Sequence, residues 1–391
     1  MPPSISTDFD VLIAGAGLVG ASFALALRDS GLRVGIIEPA EPSPPGEAWD
    51  SRIYALNPAN IDFLQTLGAW QRMDPARLQP VGRMQIYGDD QARLDFSAYE
   101  SGVAALAYIL ESGRLQYALW ESLRDAPNIE LLTGARCADA DFESAAARIR
   151  LDDGRTLRTE LLVGADGANS WVRRVARLQA QVHAYEHLGV VANFDCAKPH
   201  GGTAFQWFRH DGILAYLPLA GQRMSMVWST PDEHGRELLA LPHEQLAARV
   251  AEAGRHVLGE LRVITPPQAF PLRKMRLPDV VAPRVALIGD AAHVVHPLAG
   301  QGVNLGFGDA AALARLIIER EPFRRCGDMA ILRRYQRERA EPVAAMGAVT
   351  HGLQRLFAAP GSWVAALRNR GLAYTDRTTV IKNLLVRQAL G

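Results

Sequence analysis

Cysteine is scarce in this chain, and this scarcity bears on whether the protein is held by disulfides or binds zinc. The sequence has three cysteines, Cys137, Cys196 and Cys326, which lie far apart and form no CxxC pair. This spacing supports neither a disulfide framework nor a zinc site, and it fits a reducing compartment. We therefore expect a cytoplasmic protein that holds no metal.

Net charge and long charged or apolar runs are lacking as well. Lysine and arginine number 42 and aspartate and glutamate also number 42, and without a long basic run nucleic acid is not expected as a partner. The longest uncharged stretch near the N-terminus, residues 11–27, contains glycines in a phosphate-binding pattern. It therefore predicts a strand, a turn and a helix, not a membrane span. The apolar run at 9–14 is too short for a signal peptide.

What remains is the composition of an ordinary globular protein of two or three domains. The chain has 391 residues, of which 48% are hydrophobic and 21% charged. The segment FDVLIAG predicts a buried parallel strand, Leu18–Ser30 a helix stopped by Gly31, and Arg33–Glu38 a second strand. Together these segments form a βαβ unit.

The first motif, GAGLVG, lies between the first strand and the helix of this unit. Gly15 permits a tight turn, Gly17 lets the backbone approach a pyrophosphate, and Gly20 allows close packing of helix on sheet. The helix N-terminus attracts phosphate, and Glu38 follows at the distance of a ribose-binding carboxylate. A glycine-rich turn without a ligand is the alternative, and the motif does not distinguish FAD from NAD.

The second motif, GADGANSWVR at residues 164–173, follows the buried strand LLV. Asp166 lies at the end of a parallel strand, where ligands bind in open α/β sheets. Arg173 can face the phosphates of a pyridine nucleotide or pair with Asp166. A structural Asp–Gly turn beside a solvated arginine is the alternative for the motif taken alone.

The third motif, at residues 285–310, is an apolar strand, an aspartate and a glycine-rich loop that opens a helix. Asp290 ends the strand, and alone the segment indicates a polyol or phosphate site beside a helix N-terminus. His293 and His296 are three residues apart across a proline-flanked loop with no acidic third ligand. This is a poor metal site, and packed or hydrogen-bonded histidines are the better interpretation.

The periodicity of apolar residues predicts the secondary structure of the rest of the chain. Two strands are predicted within residues 82–98 and an antiparallel hairpin within 148–166, and helices are predicted at 59–70 and 111–124. Residues 39–49 are too rich in proline for regular structure. Residues 177–270 predict a mostly antiparallel sheet, with Trp207 and Trp228 as core or cavity lining. The chain is mainly helical from residue 302.

The three motifs, in this order, resemble the flavin-binding segments of single-component FAD-dependent aromatic hydroxylases, the class typified by para-hydroxybenzoate hydroxylase. Four further stretches, at residues 51–70, 108–123, 296–310 and 353–391, are similar to the ubiquinone-biosynthesis hydroxylase family of the UbiH/UbiF type. The resemblance spans nearly the whole chain, but residues 177–270 match loosely. Substrate choice is expected to reside there.

The resemblance implies an α/β fold: a Rossmann-like FAD-binding domain of the glutathione-reductase type, a mostly antiparallel substrate domain and C-terminal helices. The FAD-binding domain would comprise residues 1–78, 100–175 and 275–340. The substrate domain would comprise 79–99 and 176–274, and 341–391 would form the helical C-terminal segment.

The resemblance also implies a mechanism. NADH or NADPH reduces FAD, reduced FAD combines with O2 to a C4a-hydroperoxide, and the ring of a polyprenyl phenol or quinol takes up a hydroxyl group. Because the flavin performs the chemistry, no catalytic side chain is required. Pro297, Gly300 and Gly302 would lie near the flavin ring, with the helix N-terminus stabilising charge on the reduced flavin.

The cofactor-binding residues that follow from the motifs and the resemblance are Gly15, Gly17, Gly20, Glu38, Arg52, Arg114, Asp166, Arg173, Asp290, Pro297, Gly300, Gln301, Gly302, Val303 and Asn304.

Alternative functions remain open at this point. They are hydroxylation of another aromatic molecule, prenyl reduction without oxygen insertion, and a non-enzymatic FAD-bearing subunit of a biosynthetic complex. A flavin halogenase is not supported, because its WxWxIP signature is absent. Residues 344–391 carry six basic residues and one acidic residue, with apolar residues at helical spacing. This pattern fits either a packed cap or a peripheral contact with a membrane or a complex.

Overall fold

The computed structural model describes residues 7–88, 93–143, 145–295 and 301–358. The predictions made for His296, Pro297, Gly300 and residues 359–391 lie outside these ranges. The helices are α1 Leu18–Ala26, α2 Pro58–Thr66, α3 Ala98–Ser101, α4 Ser112–Arg124, α5 Trp171–Val175, α6 Asp232–Ala240, α7 His243–Ala253, α8 Gln301–Ile318 and α9 Met329–Ala358. Short 3-10 turns lie at Trp70–Arg72, Pro75–Arg77 and Gly289–Ala291.

The strands are β1 Phe9–Ala14, β2 Val34–Glu38, β3 Ile53–Leu56, β4 Gln79–Val81, β5 Arg83–Tyr87, β6 Arg93–Ser97, β7 Ala107–Glu111, β8 Ile129–Thr133, β9 Cys137–Phe142 and β10 Ala147–Leu151. They continue with β11 Thr156–Gly164, β12 Gln181–Cys196, β13 Thr203–Arg209, β14 Gly212–Leu219, β15 Arg223–Pro231, β16 Leu261–Val263, β17 Gln268–Arg276, β18 Val281–Ala282, β19 Val285–Leu287 and β20 His293–Val294.

The first sheet has β1 at its centre. Its order is β18-β19-β11-β1-β2-β8, and β10 and β9 extend it from β11. β1 pairs in parallel with β11 and β2, as Val11 opposite Leu161 and Val34 shows. Val11 and Ile13 pack into the core shared with α1, α4 and α8, whereas Leu12 and Ala14 pack into the core on the opposite face. Because both faces are covered, this strand is apolar from Val11 to Ala14, as the sequence predicted.

Helix α1 is shorter than its sequence predicted. It ends at Ala26, and the next residues form tighter turns in which the N–H groups of Leu27 and Arg28 bond to carbonyls three residues back. The Ser30 hydroxyl donates to the Leu27 carbonyl oxygen at 2.7 Å, and Gly31 then adopts a φ of 73°. The predicted stop at Gly31 is confirmed, but the last turn before it is not α-helical.

The second sheet is mostly antiparallel, as predicted. Its order is β20-β17-β12-β15-β14-β13-β5-β6, with β16 also on β12. The exception to the antiparallel pattern is β13, which runs parallel to β5. Helices α6 and α7 were not predicted, and their apolar side chains join a core with Trp207 and Trp228, on one face of this sheet. Both tryptophans are therefore core residues, and the other face is left for the site.

A third, small sheet has the order β3-β7-β4 and contacts α8 and α4 as well as β14 of the second sheet. Helices α8 and α9 pack on each other. The prediction that the chain is mainly helical from residue 302 is confirmed as far as residue 358. In the part of the chain that the structure describes, no helix is long and apolar enough to cross a membrane.

Candidate active site

The glycine-rich turn between β1 and α1 has the geometry that its sequence requires. Gly15 has a φ of 100°, and a Cβ on it would lie 2.6 Å from the Ala165 carbonyl oxygen. A Cβ on Gly20 would overlap the Gly15 carbonyl oxygen. A Cβ on Gly17, in contrast, would meet no atom within 4 Å, because Gly17 faces an open cavity. The turn is thus tight on the protein side and open on the side where a pyrophosphate would approach.

Glu38 lies at the end of β2 and reaches back to this turn. Its Oε2 accepts a hydrogen bond from the Ala16 N–H at 2.7 Å, while its Oε1 receives only a long contact of 3.5 Å from the Ala40 N–H. The amide of Gln116, on α4, donates to the Ala16 carbonyl oxygen from the other side. The carboxylate therefore holds the turn and keeps one oxygen with spare acceptor capacity for a ribose hydroxyl.

Asp290 lies on the 3-10 turn that follows β19 and lines the same cavity as Gly17. Its side chain is open to the cavity but surrounded by protein. Burial raises the pKa of this carboxyl, and the positive charges of His293, Arg273 and Arg52 partly oppose that effect. Nearby Gly289 needs its φ of 59° for the turn.

The mid-chain motif places Asp166 at the N-terminus of α5. Its Oδ2 accepts hydrogen bonds from the N–H groups of Trp171 at 2.6 Å and Val172 at 3.1 Å. Its Oδ1 is buried and has no partner among the described residues. Asp166 itself does not line the cavity, whereas its neighbours Ala165 and Gly167 do.

Arg173 joins the second motif to the third. Its guanidinium donates to the Ala291 carbonyl oxygen at 3.0 Å and to the Ala168 carbonyl oxygen at 2.9 Å. Burial lowers the pKa of Arg173, and the charge of Asp166 opposes this effect. One of the two roles predicted for Arg173 was pairing with Asp166. The two charges attract each other, but no hydrogen bond joins the two side chains among the described contacts. Its role toward a pyridine nucleotide stays a prediction.

Arg52 and Arg114 occupy different environments. Arg52 is exposed and lines the cavity. Arg114 does not line it, because its guanidinium binds the buried Glu111 carboxylate at 2.9 Å and the Gly46 carbonyl oxygen at 2.7 Å. Arg77 binds the same carboxylate at 2.7 Å. Arg114 thus fastens the proline-rich loop, and its predicted contact with the cofactor receives no support from this position.

The N-terminus of α8 brings part of the third motif to the cavity. Gly302 and Val303 line the cavity, and the backbone of Gln301 begins the helix. Asn304 is buried instead. Its Nδ2 donates to the Ala55 carbonyl oxygen at 2.8 Å, and its Oδ1 accepts from the Asn57 N–H at 3.1 Å and from the Asn60 amide at 2.8 Å. Asn304 therefore fixes the helix start against α2.

A buried charged cluster supports the Asp290 turn from behind. Asp309 accepts hydrogen bonds from His293 at 2.7 Å, from the Gly289 N–H at 3.0 Å and from Arg339 at 2.7 Å. His293 is thus a packed, hydrogen-bonded histidine, as predicted. Gly306 leaves room for Val19 on α1, because a Cβ at Gly306 would lie 2.5 Å from Val19 Cγ2. The glycine-rich start of α8 is therefore required by close packing.

The second sheet supplies the opposite wall, here called the floor. Its middle row crosses four strands in register, with Val191 opposite Val227, Val227 opposite Ala215, and Ala215 opposite Gln206. All four line the cavity, as do Ser225 and Leu217 one row further along. Sequence reasoning did not find these residues. Alternation in the strands predicted two faces, but no local signal says which face meets the cofactor.

The floor and the motif residues enclose one cavity of about 820 Å³. That volume lies in the range of ligand-binding sites. The walls are mixed, with polar side chains such as Tyr54, Gln116 and Gln268 among the apolar ones. The open Gly17 and the helix N-terminus at Gly302 meet the requirements of a dinucleotide with a planar ring. The fold and this cavity are those of a dinucleotide-binding protein.

Comparison with known proteins agrees with this geometry. The family model described as FAD binding domain matches residues 8–350. The 3-demethoxyubiquinol 3-hydroxylase of Escherichia coli (strain K12) is 33% identical over 390 residues, covering 98% of both chains. The mitochondrial ubiquinone biosynthesis monooxygenase COQ6 of Drosophila melanogaster is 33% identical over 435 residues, covering 99% of this chain and 91% of the relative.

Solved structures give the same result for the fold. P. aeruginosa PqsL in complex with 2-aminobenzoylacetate has 28% identity and a TM-score of 0.77, covering 94% of this chain and 100% of that one. Klebsiella pneumoniae HpxO complexed with FAD and uric acid has 18% identity and a TM-score of 0.75, covering 97% and 96%, and shows the fold alone. The chain belongs to the FAD-binding family and, within it, to the ubiquinone-biosynthesis hydroxylases. It is an FAD-dependent monooxygenase, as its resemblance implied.

Proposed function

We propose that this enzyme hydroxylates the aromatic ring of a polyprenyl phenol or quinol intermediate in ubiquinone biosynthesis. The observation that carries the proposal is the shared cavity, in which Gly17, Asp290 and Gly302 face the floor residues Val191 and Ala215. A ring on the floor would therefore lie beside a ring held at the helix N-terminus. The names of the relatives, which are hydroxylases and monooxygenases of ubiquinone biosynthesis, support the same reaction.

We assign FAD to residues of all three motifs. Gly15, Gly17 and Gly20 form the turn for the pyrophosphate, Glu38 accepts from the ribose, and Asp290 accepts from the ribityl chain. The α8 start, from Gln301 to Asn304, presents its N–H groups to the flavin ring, together with Pro297 and Gly300. When bound and reduced, FAD supplies activated oxygen from O2. The apolar floor residues Val191, Ala215 and Val227 would keep water from the reacting atoms, which protects that oxygen from being lost as peroxide.

We assign the reductant, NADH or NADPH, to Arg52, Asp166 and Arg173, of which Arg52 lines the cavity. Residues 1–78, 100–175 and 275–340 would then bind the nucleotides, and 79–99 with 176–274 would bind the ring. The large apolar tail of the substrate dissolves in membranes. We therefore propose that the basic segment 341–391 contacts an anionic membrane surface or a biosynthetic complex peripherally.

The reaction is tested with the purified FAD-loaded protein, a polyprenyl phenol, NADPH and 18O2. The expected product is the phenol with one 18O atom on its ring, formed together with substrate-stimulated NADPH oxidation. In a strain lacking the protein, the ubiquinone precursor that accumulates identifies the ring carbon. A product reduced in its prenyl chain, without 18O, would contradict the proposal and favour a prenyl reductase.

A further inference from the structure

Ser225 lies in the floor with no hydrogen-bonding partner for its hydroxyl. The residue is 1% exposed, lines the cavity, and its Oγ contacts no donor or acceptor among the described residues. It lies on β15, whose alternate residues Met224 and Met226 face the tryptophan core. The Ser225 side chain is therefore directed to the cavity side of the sheet, where no described residue bonds its hydroxyl.

A second orphaned atom lies directly across from Ser225 on β12. Asn193 is opposite Ser225 in the register, and its Nδ2 donates to the Asp50 carbonyl oxygen at 2.7 Å. Because a carbonyl oxygen only accepts, this bond fixes the orientation of the amide, and the buried Oδ1 is left without a partner. The inner end of the floor is thus polar on two adjacent strands, although the neighbouring Leu217 and Ile53 pack in an apolar cluster.

The floor is also uncharged. Among the described residues, the charged ones that line the cavity are Arg52, Arg273 and Asp290, and none of these lies on β12 to β15. Leaving the hydrogen bond of a buried hydroxyl unmade destabilises a fold. A hydroxyl kept at this cost beside apolar side chains is suited to a neutral oxygen atom, not to a carboxylate, which would need a cation.

We propose that the Ser225 hydroxyl binds an uncharged oxygen substituent, a hydroxyl or an alkoxy group, on the substrate's aromatic ring. This inference rests on the proposed function, because it presumes that the floor carries the ring. Ser225 thereby selects oxygen-bearing rings and sets which ring carbon is turned toward the flavin side. Asn193 is a positioning residue, since its bond to Asp50 holds the inner end of β12 against the loop before Arg52.

The inference is tested by titrating the FAD-loaded protein with 2-geranylphenol and with geranylbenzene, following the flavin absorbance spectrum. The parent is expected to bind the phenol more tightly. Ser225→Ala should raise the Kd for the phenol about 5- to 15-fold, the loss of one neutral hydrogen bond, and leave the Kd for geranylbenzene unchanged. Its Tm should not fall, because the hydroxyl makes no internal bond that the substitution could break.

Two further variants separate binding from folding. Ser225→Cys keeps the volume but is a weak donor, so it should weaken phenol binding in the same direction. Ser122→Ala removes a buried serine hydroxyl that bonds within α4 at 2.9 Å, and it should lose stability without changing the preference for the phenol. If the parent binds both compounds equally, or the Ser225 variants keep its full preference, the inference is overturned. Failure of the proposed function is a different result: tight binding of the phenol without 18O in the product.

Discussion

Asp309 of α8 accepts a hydrogen bond from His293, with 2.7 Å between His293 Nε2 and Asp309 Oδ2, and both side chains are buried. Burial alone would lower the pKa of His293, but the Asp309 carboxylate outweighs it and raises that pKa above 6.5. Burial alone would raise the pKa of Asp309, but His293 and Arg339 outweigh it and lower that pKa. The pair is therefore held together as ions behind the Asp290 turn.

The stability contributed by this pair should depend on pH with a definite sign. Because the pKa of folded His293 is raised, the contribution is full below pH 6.5 and is lost as pH rises through the folded value. The difference in free energy of unfolding between the parent and His293→Gln, measured by denaturation from pH 5 to 9, should shrink in that direction. Asp309→Asn should cost about 3–5 kcal/mol at pH 6, since Arg339 loses its buried partner. A difference independent of pH would contradict a charged His293.

Replacement by alanine should lower the stability of the fold at Gly20 and the affinity for FAD at Gly17. A Cβ at Gly20 would overlap the Gly15 carbonyl oxygen, so Gly20→Ala should lower the free energy of unfolding by about 1–3 kcal/mol or more. A Cβ at Gly17 meets nothing, so Gly17→Ala should fold normally but bind FAD about 10- to 100-fold more weakly. Calorimetry of the FAD-free proteins and FAD titration separate the two effects. If Gly17→Ala binds FAD as tightly as the parent, the assignment of the pyrophosphate to this turn is wrong.

Asp290 should be needed for FAD retention. Loss of a charged hydrogen bond to a ribityl hydroxyl should weaken FAD binding about 10- to 100-fold in Asp290→Ala. The measurement is the FAD content after dialysis, followed by titration with FAD. Asp62→Ala, an exposed position on α2, is the matched control. If Asp290→Ala keeps FAD as tightly as the parent, the assignment of Asp290 is wrong.

Asp166 should affect reduction by NADPH more than FAD content. Asp166→Asn retains an oxygen for the N–H groups of Trp171 and Val172 while removing the charge, so the start of α5 is kept. We expect a slower reduction of bound FAD in stopped-flow experiments and an unchanged FAD content. Asp74→Asn, which makes the same change where Asp74 accepts from the Ala76 N–H, is the control. An unchanged reduction rate would rule out a role for this charge.

The C-terminal segment should respond to anionic lipid if it makes a peripheral contact. Residues 344–391 have a net charge of +5 from six basic residues and one acidic residue. Cosedimentation with vesicles containing phosphatidylglycerol should therefore exceed that with neutral vesicles and should decrease with salt. Removal of residues 361–391 should abolish the difference. Absence of binding by the full-length protein would leave only a packed cap.

The local geometry of the first and third motifs was predictable from sequence because its determinants are local. The glycine spacing in GAGLVG requires one turn, Glu38 ends β2, and Asp290 lies on the turn after β19. Asn304 and Arg114 show where such reasoning ends. Both stand within recognisable motifs, yet Asn57 and Asn60 engage the first and Glu111 the second. The partner of a polar side chain can lie far along the chain, 244 residues away for Asn304 and Asn60 and 68 for Arg114 and Gly46, or on a neighbouring turn. A local sequence pattern does not contain that information.

The substrate side was not predictable for a related reason. Strand β15 alternates Ser225, Val227 and Ser229 with Met224, Met226 and Trp228. Both faces are mostly buried, so alternation marks two faces without ranking them. The face toward the cavity was decided by α6 and α7, which cover the other face and were themselves missed among the predicted strands. Only the three-dimensional arrangement makes Ser225 a cavity residue and Trp228 a core residue.

The pairing of β11 with β19 has a consequence for biosynthesis. Leu162 and Val163 of β11 meet Val285 and Ala286, more than a hundred residues later, and the Gly289–Ala291 turn closes the cavity against the glycine-rich turn near residue 15. A ribosome adds about 5–20 residues per second, so the two halves of the cofactor site emerge tens of seconds apart. Until then the nascent chain has an unfinished sheet edge beside β11. Cofactor capture is therefore a late event in the life of this chain, and the exposed edge must be kept from pairing with other nascent chains in the meantime.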